Sequence, residues 1–249
     1  MKKISLLILL ILLTSCNYQK PQKDKHPEIP TFSEQVYKNP EKYGFTLISE
    51  KNEDIEGFFI DNDRLILVSG VGKAGVSKDS IVISEYKNFT DVKKYYYKIE
   101  TSKEEDSLNP NISLYQIDYL DGTIYSTYHK FSAPDYKPVL LDSIFLKKRD
   151  DTKFSSNYAS VYNDENILEP FEEIPVGNKT NCGGGKLWVP IVCPIYLSYF
   201  KINSGTKTIS FKEKDSYNGF KLFTIFGKKC LFNNSNFSGN SRLYLTGNL

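Results

Sequence analysis

The sequence predicts a mostly β fold in which antiparallel hairpins and meanders form a sandwich- or barrel-like body with little helix. Three observations predict it. First, 18 Tyr and 16 Phe stand beside one Trp and one Met in 249 residues, and aromatic side chains suit a pleated, half-buried surface. Second, short runs of β-branched and aromatic residues recur between clusters of Gly, Asn, Asp and Pro, the punctuation of a strand-rich chain. Third, Asp121-Gly122 joins two alternating runs and supplies the two positive-φ positions of a type I′ hairpin turn.

Taken in order, Ser33 is placed to cap a short helix through Tyr37 that Asn39-Pro40 ends. Strands are expected over Gly44–Glu50, Gly57–Asp61, Arg64–Ser69, Ser80–Tyr86 and Lys93–Glu100. The clearest hairpin runs from Ile112 to Leu120, turns at Asp121-Gly122, and returns from Thr123 to Phe131. Its register pairs Tyr119 with Ile124, Ile117 with Ser126 and Tyr115 with Tyr128, leaving one packed face and one wet one. Val139–Lys147 reads as a further strand, and the stretch 150–175 as an acidic connection. Leu187–Phe200 is uncharged but short and interrupted by Pro190 and Pro194, which suits a buried strand better than a spanning helix. Ser204-Gly205 and Asn218-Gly219 mark later hairpins, and Arg242–Thr246 a closing strand.

Charge is unevenly spread. Residues 32–175 form an acidic β-rich region, and 176–249 a basic Gly/Asn-rich one with 10 basic side chains against Glu213 and Asp215. That contrast sets an expected boundary near 175, with the basic part either a second domain or a second layer of the same one. The formal charge of the whole chain is only +2, which speaks against a nucleic-acid partner.

The N-terminus carries the most specific signal. Lys2-Lys3 precede an apolar run from Ile4 to Leu13, and Thr14-Ser15 lead into Cys16, so the three regions of a secretory signal appear in order. Leu13-Thr14-Ser15-Cys16 resembles the lipobox of bacterial lipoproteins. The resemblance covers residues 1–16 and implies diacylglyceryl transfer to the Cys16 sulfur, cleavage after Ser15, and acylation of the new amino group. Residues 1–15 are then a cleaved signal peptide. Residues 16–31, polar and with prolines at 21, 27 and 30, read as a flexible tether. By resemblance to enterobacterial lipoproteins, Asn17 in place of Asp after the cysteine points to the outer membrane, with the body facing the periplasm or the cell surface.

Export also bears on the remaining cysteines, Cys182, Cys193 and Cys230, because an oxidising compartment favours disulfides. Cys182 with Cys193 is the preferred bridge, Cys193 with Cys230 the alternative. No Cys-x-x-Cys spacing occurs and His129 is the only histidine beyond the tether, so neither a zinc site nor another cofactor is expected.

Four patterns bear on chemistry. Gly70-Val71-Gly72-Lys73-Ala74-Gly75 has the glycine spacing of a dinucleotide loop, but the residues after it are β-branched instead of helical. His129 is the residue on which a Ser/His or Cys/His centre would depend, and it reads as an exposed histidine at a strand end. Ser84-Glu85-Tyr86-Lys87 and Ser198-Tyr199-Phe200-Lys201 match Ser-x-x-Lys without its companion motifs. Tyr95-Tyr96-Tyr97 offers aromatic faces to packing or to a partner.

Together these observations lead to a lipid-anchored envelope protein that acts by binding, for example an immunity-type lipoprotein that blocks a toxin, with no catalytic residue nominated. Its expected partners are the membrane, through Cys16, and an envelope or toxin protein. An envelope hydrolase using carboxylates or His129, and a structural lipoprotein, are the alternatives. The sequence leaves the oligomeric state open.

Overall fold

The computed structural model describes residues 19–61, 63–71, 80–98, 117–142, 145, 150–156, 164–180, 192–215, 219–234 and 241–247. The fold is mostly β, in four antiparallel sheets that do not close into a barrel. The strands are β1 (Phe45–Leu47), β2 (Glu53–Asp61), β3 (Arg64–Val71), β4 (Ser80–Asn88), β5 (Asp91–Lys98), β6 (Asp118–Leu120), β7 (Thr123–Tyr125), β8 (His129–Ser132), β9 (Pro138–Leu140), β10 (Ser155–Ser156), β11 (Glu172–Thr180), β12 (Val192–Ser204), β13 (Lys207–Lys214), β14 (Phe220–Ile225), β15 (Lys228–Asn233) and β16 (Arg242–Thr246).

Contacts divide the chain into two compact units that alternate along it. Unit 1 is Met1–Asn39 with Glu169–Tyr217, and unit 2 is Pro40–Leu168 with Asn218–Leu249. The basic stretch 176–249 is therefore split between the units, and the expected boundary near 175 is replaced by crossings at 168/169 and 217/218. The physical reason is strand pairing. β1 pairs with β16, Phe45 opposite Thr246, so the last strand belongs with one near the start whatever the local composition.

Unit 2 stacks sheets on both faces of the meander β2-β3-β4-β5. On one face Ile55, Phe58, Leu65, Leu67 and Tyr86 meet Phe223, Ile225, Cys230, Phe232, Leu243 and Leu245 from β14 to β16. On the other, Phe59, Ile66, Val68, Ile81 and Ile83 meet Ile117, Tyr119, Ile124, Phe131 and Tyr136. β3 is buried on both sides, which accounts for Leu65-Ile66-Leu67-Val68 running apolar without alternation. An irregularity between Ile55 and Gly57 bends β2, and there a Cβ on Gly57 would lie 2.7 Å from Ile117 Cγ2.

The Asp121-Gly122 turn forms with φ of 46° and 76°, and Tyr119 faces Ile124 as the register requires. The return strand is shorter than expected. It stops at Tyr125, and β8 starts at His129, paired back onto β7 with Ile124 opposite Phe131. Ser126 closes the intervening turn, its N–H donating to the His129 carbonyl at 2.8 Å, while the His129 N–H donates to the Ser126 hydroxyl at 3.3 Å. Serine's capacity to bond nearby backbone outweighs the β preference of its neighbours. The expected partners Ile112–Gln116 lie outside the described residues. β9 ends at Leu140, earlier than the expected Lys147.

In unit 1, β11-β12-β13 form a three-stranded sheet. Pro175 is tolerated because β11 is an edge strand, next to an irregularity between Pro175 and Gly177. A short helical turn spans Phe32–Val36, close to the expected Ser33–Tyr37. It buries Phe32 against Phe211, with ring centroids 5.0 Å apart. Among the described residues no helix is long and apolar enough to cross a membrane.

Candidate functional site

Register builds the densest polar cluster. Glu172 is opposite Tyr199 on β12, and Tyr199 is opposite Lys212 on β13, so the three side chains form a row across one face of the sheet. The segment expected to be a tether crosses that row. The Gln22 N–H donates to the Pro175 carbonyl at one edge of the sheet at 2.7 Å, and the Lys212 N–H donates to the Pro30 carbonyl at the other edge at 2.9 Å. Thr31 then bridges Lys212 in parallel. A three-stranded sheet is about 10 Å across between its edge strands, and the residues from Gln22 to Pro30 span it easily.

Each member of the row is engaged by this strap. Tyr199 Oη donates to Asp24 Oδ1 at 2.7 Å and accepts from the Lys25 N–H at 3.1 Å. Lys212 Nζ donates to Asp24 Oδ2 at 2.6 Å and to the His26 carbonyl at 2.8 Å. Glu172 takes Lys25 Nζ at 2.6 Å and His26 Nε2 at 3.1 Å, while His26 Nδ1 lies 3.4 Å from Glu28. Ile29 packs beside the buried Ile174, Leu197 and Tyr199. Burial alone would raise the Asp24 carboxyl, but hydrogen bonds from Lys212 and Tyr199 outweigh it and hold the group below its usual value. Hydrogen bonds from Lys25 and His26 lower Glu172 likewise. Both imidazole nitrogens face carboxylates and both Asp24 oxygens are taken, so this geometry holds chain to sheet.

Unit 2 has a second network. Arg64 bridges Asp61 at 2.7 Å and Glu85 at 2.9 Å, and Tyr119 Oη donates to Asp61 Oδ2 at 2.5 Å. Tyr95 and Tyr97 donate to the carbonyls of Pro134 and Asp135 at 2.5 and 2.6 Å, so two tyrosines of the triple fasten a loop. Tyr96, on the opposite face of the strand, stays 61% exposed. Beside it in character, Tyr128, Val139 and Leu140 are also exposed, adjacent because the Leu141 N–H donates to the Tyr128 carbonyl.

The other sequence candidates fall as follows. His129 does begin a strand, but it is buried, 8% exposed, which corrects the expectation of an exposed residue. Pairing of β8 between β7 and β9 encloses it, burial lowers its pKa, and its Nδ1 has no hydrogen-bond partner. The neighbouring Ser126 hydroxyl is engaged with the His129 backbone instead of the ring. Ser84 is wholly buried in β4, and Ser198 donates to Glu173 at 2.6 Å on the face opposite Lys201. Gly70 and Val71 end β3, which runs antiparallel to β4 with Val71 opposite Ser80. The glycine pattern therefore lies between two antiparallel strands, and residues 72–79 lie outside the described residues.

Cys193 is disulfide-bonded, and Cys230 is a free, buried thiol that burial pushes up to about 12. The alternative bridge between Cys193 and Cys230 is thereby removed. Cys182 and Cys16 lie outside the described residues. Among the described residues no group of three His, Cys, Asp or Glu side chains is placed to hold a metal ion. Part of the charge of the basic stretch is used internally: Lys212 and Arg242 are buried, Lys179 pairs with Asp215, and Arg242 donates to the Lys51 carbonyl at 2.5 Å.

The strap was hidden from sequence reasoning because proline and lysine content resembles that of a linker. No local signal links Asp24 to Tyr199 and Lys212, which lie far away along the chain. No family model, no curated protein and no solved structure matches the chain.

Proposed function

We propose that this chain is a lipid-anchored protein of the bacterial cell envelope, placed by resemblance at the outer membrane, that acts by binding another protein. Leu13-Thr14-Ser15-Cys16 behind Lys2-Lys3 and an apolar run is the observation that carries the anchor. Two or more acyl chains on one residue make a stable attachment. The binding reading draws support from the state of the polar side chains. Asp24, Lys25 and His26 of the strap and the Asp61-Arg64-Glu85 network are paired within the chain, and the His129 ring is enclosed. Exposed Tyr128, Val139 and Leu140, with Tyr96 exposed on β5, are left as contact surface, where burying apolar area is favourable and tyrosine is the type that contributes most. An immunity-type protein directed at an incoming toxin is one member of this class.

Two measurements test the proposal. Metabolic labelling with a fatty-acid analogue should mark the wild-type chain and not Cys16→Ser; equal labelling of both, or of neither, overturns the anchor. A chain beginning at residue 17 should capture a discrete envelope protein, and Val139→Lys with Leu140→Lys should reduce that capture at least about tenfold, the scale of one interface contact of about 1.4 kcal/mol. Capture unaffected by the pair removes this surface from the reading.

A further inference from the structure

We propose that the strap is a spacer clamp: it holds the Asn178 end of the β11-β12-β13 sheet at the bilayer surface instead of letting unit 1 drift on a long leash. The inference rests on Cys16 being the acylated residue. Chain length makes the argument. A tether free from Cys16 to Thr31 would reach roughly 50 Å when extended, at about 3.4 Å per residue, and its mean span would be roughly 20 Å with wide excursions. The strap removes most of that freedom. Asn178 Nδ2 donates to the Gln19 carbonyl at 3.2 Å, three residues from Cys16, and the Gln22 N–H is bonded to Pro175. Three residues span at most about 11 Å. The Asn178 end of the sheet is then within about that distance of the acylated cysteine.

Charge at this end suits an anionic bilayer surface. Lys20 and Lys23 are exposed and make no ion pair among the described residues, and Lys214 is exposed on the same part of the sheet, opposite Leu197. Basic side chains near a membrane each contribute roughly 1 kcal/mol toward anionic headgroups. Lys25 is not available for this role, since it pairs with Glu172. The row Glu172-Tyr199-Lys212 thus does a positional job. It converts a lipid anchor, which by itself fixes only a point, into one that fixes which end of unit 1 meets the headgroups.

The test uses the full lipidated chain in phosphatidylcholine vesicles, with and without phosphatidylglycerol, containing a nitroxide-headgroup lipid. A fluorophore is attached at Lys214→Cys or at Thr208→Cys. These positions lie on one face of β13, six residues and roughly 20 Å apart. Cys230 is buried, so the introduced thiol takes the label, and a chain without it gives the background. Quenching should be several-fold stronger at 214 than at 208, more so in anionic vesicles, and the contrast should collapse in Asp24→Asn/Glu172→Gln. Lys25→Gln/His26→Gln, which leaves the buried Lys212 paired, should reduce it as well and guards against a folding defect. Equal quenching at both positions in an acylated, vesicle-bound wild-type chain overturns the clamp and leaves the anchor standing. Absence of acylation by mass spectrometry overturns the anchor itself, and the clamp with it.

Discussion

His129 shows how one side chain can tie stability to pH. Burial lowers its pKa, so the unfolded chain takes up a proton more readily than the folded one. Its contribution is complete above the unfolded value of about 6.5 and declines as pH falls through the folded value. Urea denaturation at pH 7.5 and pH 5 should show wild type losing more stability than His129→Gln, and parallel curves for the two would refute the assignment. Glu53, 1% exposed, is instead held by an ion pair with Lys94, whose ammonium lies 2.9 Å away. Lys94→Met leaves a buried carboxylate without its cation and should cost about 3 kcal/mol, read as a lower denaturation midpoint. Gly57→Ala drives a methyl to 2.7 Å from Ile117. It should cost about 1–3 kcal/mol by overpacking, and an unchanged midpoint would mean that Ile117 moves aside freely. Of these three residues, the sequence marked only His129, and it misjudged its exposure because enclosure depends on β7 and β9 lying on either side.

At the scale of elements, the Asp121-Gly122 turn was legible because two adjacent positive-φ positions are a local demand that few residue pairs meet. The break at Ser126 was not, since Thr127 and Tyr128 favour strand as strongly as their neighbours do and only the serine's backbone bonds end it. The strap is the clearest case of composition misleading. The carboxylates on the two sides of its contact make it sensitive to acid: Asp24 of the strap and Glu172 of β11 are both held below their usual values. Their contribution is present above the unfolded carboxylate range of about 4 and is lost as pH falls through the lower folded values. Amide protection at Gln22 and Lys25, corrected for intrinsic exchange, should accordingly persist at pH 6 and fall at pH 3. Protection that holds at pH 3 would assign the strap to its backbone bonds and Ile29 alone.

At the scale of the molecule, the two units are built from interleaved stretches, so neither is a continuous piece of chain. Unit 2 needs β14 to β16 from the end of the sequence to complete the core around Phe58. Phe58→Ala should therefore cost about 3–5 kcal/mol. Truncation after residue 217 should unfold unit 2, seen as loss of cooperative melting by circular dichroism. Retention of a sharp transition assignable to unit 2 would show that its other core, around Ile66 and Ile83, suffices.

The sequence by itself determined the antiparallel β class, most strand positions between 53 and 98, and the Asp121-Gly122 hairpin. These follow from periodicity and turn chemistry, which act over a few neighbouring residues. It also carries the lipobox resemblance, which needs no fold to be read. Only the tertiary structure decided that β1 closes against β16, that the basic stretch is divided between two units, and that the apparent linker is a strap gripping Glu172, Tyr199 and Lys212. Those depend on which segments meet across 146 or more positions of the chain, and no local pattern encodes that choice. Compensation between distant charges such as Asp24 and Lys212 exists only once the sheet has brought them together.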